Sequence, residues 1–341
     1  MATDTERGSG AREVRFGVLG AARITPAALL RPAKGNAEAR VVCVAARDRE
    51  RADAFAARHG IERVVSSYDE VIADPGVDAV YIPLPNGRHA PWVHAALDAG
   101  KHVLCEKPLT ANALEAEAIA EAAAAHPDLV VMEAFHYRYH PMAQRMRAIV
   151  ESGEIGPLQH VEASICFPLP RFNDIRYQLD LAGGALMDAG CYAVHMVRLL
   201  GLGEPTVVSA EAKIRTPEVD RAMVAHVRFP AGHTGTVRCS MWSSSLLRLG
   251  ARATGSNGEL KAFNPLAPQT LHLLTTRIAE RHAYERFPRR PTYDYQLDAF
   301  CEAVLRGGPN LTPPMDSVAT MRVIDDIYRA AGLAPRPSMG S

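Results

Sequence analysis

Three residues have the types and surroundings to move a proton beside a stabilised negative charge: Lys107, Asp188 and Tyr192. Lys107 ends the apolar run His102-Val-Leu-Cys-Glu106-Lys107-Pro108, where a strand stops at a proline and leaves a cation at its tip. Asp188 and Tyr192 belong to Gly183-Gly184-Ala-Leu-Met-Asp188-Ala-Gly190-Cys-Tyr192-Ala-Val-His195. On one continuous helix, Asp188, Tyr192 and His195 fall at i, i+4 and i+7 and share a face. A phenol titrates at about 10, too high for a base at neutral pH. An ammonium beside it lowers that value and also steadies a developing oxyanion. The bland reading of the same residues is an ion pair, a buried tyrosine with a satisfied hydroxyl, and a structural histidine. The elements that position them decide between the two.

Val14-Arg-Phe-Gly-Val-Leu19 reads as a buried strand that enters Gly20-Ala-Ala22-Arg23-Ile24-Thr25 and then a helix. Strand, small-residue turn and helix is the dinucleotide-binding arrangement, in which turn N–H groups and the helix N-terminus hold a pyrophosphate. The fingerprint is incomplete: Gly20 matches, while Ala22 and Thr25 fill the second and third glycine places. The strand over 39–45 ends at Ala46-Arg47-Asp48. Arg47 stands where an acidic residue would hold the ribose of NAD, and a guanidinium there suits the 2′-phosphate of NADP. Asp48 is the alternative ribose ligand, or the cap of the following helix. NADP is therefore the favoured cofactor, with NAD possible.

The strand over 77–84 brings Leu84, Pro85, Asn86 and His89 to the same carboxyl edge as candidate cofactor contacts. Asn86 can equally cap the helix over 90–99. Glu106 and Lys107, two further candidate cofactor contacts, follow the strand over 101–105, and a strand over 129–132 leads to Glu133-Ala-Phe-His136-Tyr-Arg138. Alternating strands and helices over 14–134 predict an α/β, doubly wound Rossmann domain. Beyond a helix over 141–151, strand-like runs at 158–167, 206–214, 222–229, 234–240, 247–254 and 271–275 predict a second domain. Residues 135–333 thus read as α+β with an open, mainly antiparallel sheet. A helix over 184–200 interrupts it, and helices near 293–306 and 315–331 close it. Residues 1–13 read as a disordered leader and 334–341 as a tail.

The chain has 341 residues and is 48% hydrophobic, enough for two cores. Lys plus Arg equals Asp plus Glu at 38 each, which removes the charge signature of a nucleic-acid or anionic-membrane partner. No run approaches the roughly 20 apolar residues of a membrane span. The six cysteines form no C-x-x-C pair and read as small buried hydrophobes, so no metal site is expected. The expected setting is cytoplasmic.

In this order the motifs resemble the Gfo/Idh/MocA family of NAD(P)-dependent oxidoreductases over 14 to about 331. They are Gly20-Ala-Ala-Arg-Ile24, Tyr81-Ile-Pro-Leu-Pro-Asn86 with His89, Glu106-Lys107-Pro108, the Gly183–Tyr192 run and Tyr295-Gln-Leu-Asp-Ala-Phe300. Glu133-Ala-Phe-His-Tyr-Arg-Tyr-His-Pro141 resembles the dihydrodiol dehydrogenase and D-xylose dehydrogenase group. The resemblance implies hydride exchange between nicotinamide and a carbinol or carbonyl carbon of a sugar, polyol or related diol. It assigns Lys107 to the reacting hydroxyl and the nicotinamide ribose, Asp188 to substrate, and Tyr192 to the acid/base place where many members carry histidine. His136, Arg138 and Arg176 become candidates for gripping substrate hydroxyls, and a homodimer or homotetramer is expected. Two alternatives stay open: a glycosidase using transient oxidation by a bound nicotinamide, and a cofactor-sensing regulator without turnover.

Overall fold

The computed structural model describes residues 12–171, 173–244 and 247–338. The leader over 1–13 therefore lies almost wholly outside the described residues. The first half runs β1 (Val14–Leu19), a π-turn (Pro26–Leu30) continuing into α1 (Arg31–Lys34), β2 (Ala39–Ala45) and α2 (Arg49–His59). It continues with β3 (Arg63–Val64), α3 (Tyr68–Ala73), β4 (Ala79–Ile82), α4 (His89–Asp98), β5 (His102–Cys105), α5 (Ala113–Ala125) and β6 (Val131–Glu133). The six strands pair in parallel in the order β3-β2-β1-β4-β5-β6. This is the doubly wound order, whose direction reverses between β1 and β4. Helices cover both faces, so a strand such as β4, Ala-Val-Tyr-Ile, is buried at every residue. Gly20, Arg47, Leu84 and Lys107 all follow carboxyl ends of these strands, which places them along one edge.

The second half runs α6 (Pro141–Glu151), β7 (Leu158–Cys166), a π-turn (Leu186–Gly190) continuing into α7 (Cys191–Gly201), β8 (Thr206–Thr216) and β9 (Val219–Arg228). Then come β10 (Thr234–Ser240), β11 (Arg248–Gly255), β12 (Gly258–Phe263), β13 (Leu273–Ile278) and β14 (Arg281–Glu285), followed by α8 (Thr292–Arg306) and α9 (Pro314–Ala330). The eight strands lie in the order β14-β13-β12-β11-β7-β10-β9-β8. Pairing is antiparallel except between β7 and β10. Val161, Ala163 and Ile165 of β7 pack with Met196 and Leu200 of α7 in one apolar core.

The structure adds β12 and β14 to the expected strands and departs from the sequence expectation in three further places. The helix expected over 184–200 begins as a π-turn, which adds a residue to the turn and re-aims the side chains of α7. After the second sheet, the chain returns to the first. Leu297, Phe300 and Cys301 of α8 join the core of β1, with Phe16 and Phe300 ring centroids 5.4 Å apart. The segment expected as a tail contains Arg336, which is 1% exposed. Its guanidinium donates to Asp220 at 2.8 Å and stacks 4.0 Å from the Tyr328 ring, while its carbonyl accepts from Asn112 at 2.9 Å.

Candidate active site

The tip of β5 and the π-turn meet in one charged cluster. The Lys107 ammonium donates to the Asp188 carbonyl at 2.8 Å and lies 3.4 Å from its carboxylate. Arg176 reaches the other carboxylate oxygen at 3.0 Å and also holds Asp174 at 3.0 Å. Burial alone would raise the Asp188 carboxyl, but Lys107 and Arg176 outweigh it and hold the group below the usual carboxylate range. Burial likewise works against the charge of Lys107, and Asp188, Cys191 and Glu106 together keep it above its ordinary value. Both groups are therefore ionised at neutral pH. Glu106 faces the other way: its carboxylate accepts from the buried Tyr81 hydroxyl at 2.7 Å.

The π-turn owes its shape to its entry. Gly184 sits at φ 137°, a backbone region that disfavours side chains. Asp220 then accepts from the Leu186 N–H at 2.7 Å, and Arg336 neutralises Asp220 from behind. Gly190 lets the turn close on β10, where an added Cβ would meet the Cys239 sulfur at 2.9 Å.

Beyond the turn, the expected stripe divides. Tyr192 stays beside Lys107, whose ammonium lies 4.8 Å from the ring centroid. Its hydroxyl is hydrogen-bonded to His136 Nε2 at 3.0 Å, and His136 Nδ1 to the Thr292 hydroxyl at 2.7 Å. Lys107 lies over the ring. Burial, with Tyr293, Glu106, Cys191 and Asp188 nearby, pushes the phenol well above its ordinary value. This corrects the expectation of a lowered tyrosine: burial favours the protonated phenol. His195 belongs elsewhere. It stacks on Phe135 at 4.2 Å, bonds Tyr137, and reaches Asp316 at 2.9 Å.

At the cofactor edge, Gly20 has φ 113°, and a Cβ there would meet Leu84 Cδ2 at 3.1 Å. The Thr25 hydroxyl is buried with no partner among the described residues. A glycine turn at positive φ, with an unsatisfied hydroxyl behind it, fits a pyrophosphate held on the turn's N–H groups. Ala22 is half-buried, Arg23 and Ile24 are exposed, and Arg23 approaches Asp174 at 3.7 Å. Arg47 is exposed beside this turn, and Asp48 caps α2 by accepting from the Arg51 N–H at 3.1 Å. Leu84, Pro85 and Asn86 are half-buried, and the Asn86 amide donates to the Ala182 carbonyl, ahead of the π-turn, at 3.2 Å.

Three candidates change role. His89 is fully buried, and its ring nitrogens face the Leu84 and Pro108 carbonyls at 2.8 Å each, so it ties β4 to the Lys107 loop and offers a cofactor nothing. His136 has both nitrogens committed to Tyr192 and Thr292, which removes it as a grip for substrate hydroxyls. Arg138 is buried, and its charge acts on Tyr137, Arg147, Tyr139 and Asp316, away from Lys107. The short 3₁₀ turn His136–Tyr139 aims these neighbours apart. Arg51, in the first turn of α2, donates to the Ala21 carbonyl at 2.8 Å and brings a second guanidinium to the turn near Arg47. Among the described residues no group of three His, Cys, Asp or Glu side chains is placed to hold a metal, and no helix is long and apolar enough to cross a membrane.

A dinucleotide sheet whose carboxyl edge meets an ionised Lys–Asp pair and a protonated tyrosine defines a nicotinamide-dependent oxidoreductase. The chain belongs to the Gfo/Idh/MocA family: residues 14–134 match its oxidoreductase model with an NAD-binding Rossmann fold, and residues 143–261 its C-terminal domain. It is 39% identical over 93% of its length, and 97% of the relative's, to D-xylose 1-dehydrogenase (NADP(+)) 2 of Haloferax volcanii. It is 35% identical to trans-1,2-dihydrobenzene-1,2-diol dehydrogenase of Mus musculus, covering 69% of this chain and 70% of that one. A 3-ketoreductase from Actinomadura kijaniata, solved with NADP and TDP-benzene, superposes with a TM-score of 0.84 at 30% identity, covering 94% of this chain and 98% of that one.

Proposed function

We propose that the protein is an NADP-dependent oxidoreductase of sugars or related diols, with Tyr192 exchanging the proton and Lys107 steadying the charged oxygen. The observation that carries this reading is Lys107, which reaches both Asp188 and the face of Tyr192 from the tip of a dinucleotide-sheet strand. Gly20, Ala22, Arg23, Ile24, Leu84, Pro85 and Asn86 would hold the dinucleotide, with Arg47 and Arg51 at the 2′-phosphate. When bound, it supplies or accepts the hydride.

Each side chain then has a task. Asp188 and Arg176 orient substrate hydroxyls, the carboxylate accepting and the guanidinium donating. The Lys107 ammonium stabilises negative charge on the substrate oxygen. In reduction, the Tyr192 O–H gives its proton to that oxygen as the carbonyl carbon takes up the hydride; in oxidation both steps reverse. A phenol held protonated suits the reducing direction. Names among the relatives support both directions, a xylose dehydrogenase and a 3-ketoreductase.

The test mixes the protein with NADP(+) or NAD(+) and a panel of aldoses and diols, and with NADPH and keto sugars, following reduced-nicotinamide absorbance. NADP(H) turnover with any of these supports the reading. Cleavage of a chromogenic glycoside without net cofactor reduction replaces it with the glycosidase, and cofactor binding without either replaces it with the regulator.

A further inference from the structure

Behind the phenol lies a second buried hydrogen bond that the proton transfer itself does not use. His136 is 5% exposed and Thr292 fully buried, yet they form a continuous chain with Tyr192: phenol oxygen to Nε2 at 3.0 Å, and Nδ1 to the threonine hydroxyl at 2.7 Å. Tyr293 of α8 closes over the imidazole with ring centroids 4.2 Å apart. The three residues come from α7, the 3₁₀ turn after β6 and the first turn of α8.

A neutral imidazole carries one hydrogen, so this chain has two possible directions. With the hydrogen on Nδ1, Nε2 accepts and the phenol hydrogen points at the histidine, away from any substrate. With it on Nε2, the ring donates to the phenol oxygen and the phenol hydrogen is free to face the cleft. The threonine hydroxyl can donate to Nδ1 or accept from it; when it donates, the second tautomer follows. We propose that His136 is a positioning residue for Tyr192: its Nε2–H fixes the phenol with its proton directed at substrate and then stabilises the phenolate left behind, while Thr292 sets the tautomer. This rests on Tyr192 being the proton donor.

The surroundings agree. Burial, aided by the Lys107 charge, pushes the imidazole down to about 3, so it acts as a fixed dipole and not as a charge. The titratable groups around the phenol are Lys107 and Glu106 after β5, Asp188 and Cys191 before it, Tyr293 from α8, and Tyr137 and His136 from the 3₁₀ turn. Among the described residues, His136 is the one hydrogen-bonded to the phenol oxygen.

His136→Leu and His136→Gln are compared with the wild type in the oxidising direction, with kcat and KM followed against pH. Gln places an N–H near the Nε2 position; Leu places none. A hydrogen bond to a charged oxygen shifts its titration by about one to two units. The Leu variant is expected to move the kcat limb upward by that amount and to lower neutral-pH kcat about 10- to 100-fold, with KM changed less than about threefold. The Gln variant is expected to recover most of both. An unmoved limb in the Leu variant overturns the proposal. If Leu does not fold, judged by NADP binding and melting, Gln decides: near-wild-type kcat and limb support it, a large loss with an unmoved limb overturns it. Tyr192→Phe separates the two levels. It is expected to lower kcat about 10²–10⁴-fold and to make a further His136 change nearly silent. Normal turnover in Tyr192→Phe removes the assignment of Tyr192 itself, whereas a slow Tyr192→Phe with an unaffected His136→Leu removes only the role of His136.

Discussion

The segment from Asp188 to Arg198 serves two polar clusters built from nearly the same residue types, and they differ in what they leave unpaired. In front, Asp188 pairs with Lys107 and Arg176, and Tyr192 with His136. Behind, Asp316 pairs with His195 and Arg198, Arg198 with Glu204, and Tyr137 with His195. The rear cluster closes on itself: both Asp316 oxygens and both His195 nitrogens are used. In front, Arg176 is partly open to the cleft, with 39% of its side chain exposed, and the Lys107 ammonium retains donor capacity. Residue types alone do not distinguish a site from a brace; open valences beside a cofactor edge do.

Breaking the front should cost rate and not stability. Lys107→Met is expected to lower kcat by about 10³-fold with melting within a few degrees of the wild type. Steady-state kinetics on the folded variant checks it, and near-normal rates would return Lys107 to a structural ion pair. Breaking the rear should do the reverse. Asp316→Asn removes the charge that holds His195 and Arg198 while Glu204 still pairs with Arg198, and it is expected to cost about 2 kcal/mol in urea unfolding, with kcat per folded molecule changed less than about threefold. His195 and Arg198 overcome burial and hold Asp316 well below the usual carboxylate range. Its contribution is thus present above the unfolded value and lost as pH falls toward the folded one.

Glu133 sharpens the comparison, because it borders both clusters: it accepts from the Leu109 N–H at 2.9 Å, just past Lys107, and from Ser317, beside Asp316. Burial pushes its carboxyl up to about 7. The folded state therefore holds this proton more tightly than the unfolded one, and stability present at low pH is lost as pH rises toward 7. Glu133→Gln should remove that decline, gaining on the order of 3 kcal/mol relative to the wild type at about pH 7.5 and little at about pH 4.5. Urea titrations at the two pH values measure it. The smallest effect belongs to the cofactor edge. Arg47→Ala and Arg51→Ala should each weaken NADP about tenfold while leaving NAD nearly unchanged. Equal losses of both cofactors in a titration would assign these arginines to the turn and not to a 2′-phosphate.

Much of the first sheet was legible because parallel strands buried on both faces leave continuous apolar runs: β1 and β2 begin and end where the sequence places them. Lys107 was read as a cation at a strand end, and Asp188 and Tyr192 as proton-handling types spaced along one helix face. The π-turn was not, since its residue types are those of an ordinary helix; counted as one helix from Asp188, the spacing i, i+4, i+7 grouped His195 with the others. β12 and β14 were missed because they are short and carry charged residues such as Glu259 and Arg281. The partner of His136 was hidden by distance: Thr292 lies 156 residues away along the chain.

The return of α8 to the first sheet has a consequence for how the protein can be made. Phe16 and Phe300 share a core, and Arg306 reaches back to Glu38 at 2.7 Å. A ribosome that has released only the nucleotide-binding half has released a sheet with part of its apolar cover still unsynthesised. Contacts so distant in sequence close late and slow the search. The two sheets are separable on paper, but a gene fragment ending near residue 134 would lack Leu297, Phe300 and Cys301 and leave part of the first sheet's core uncovered.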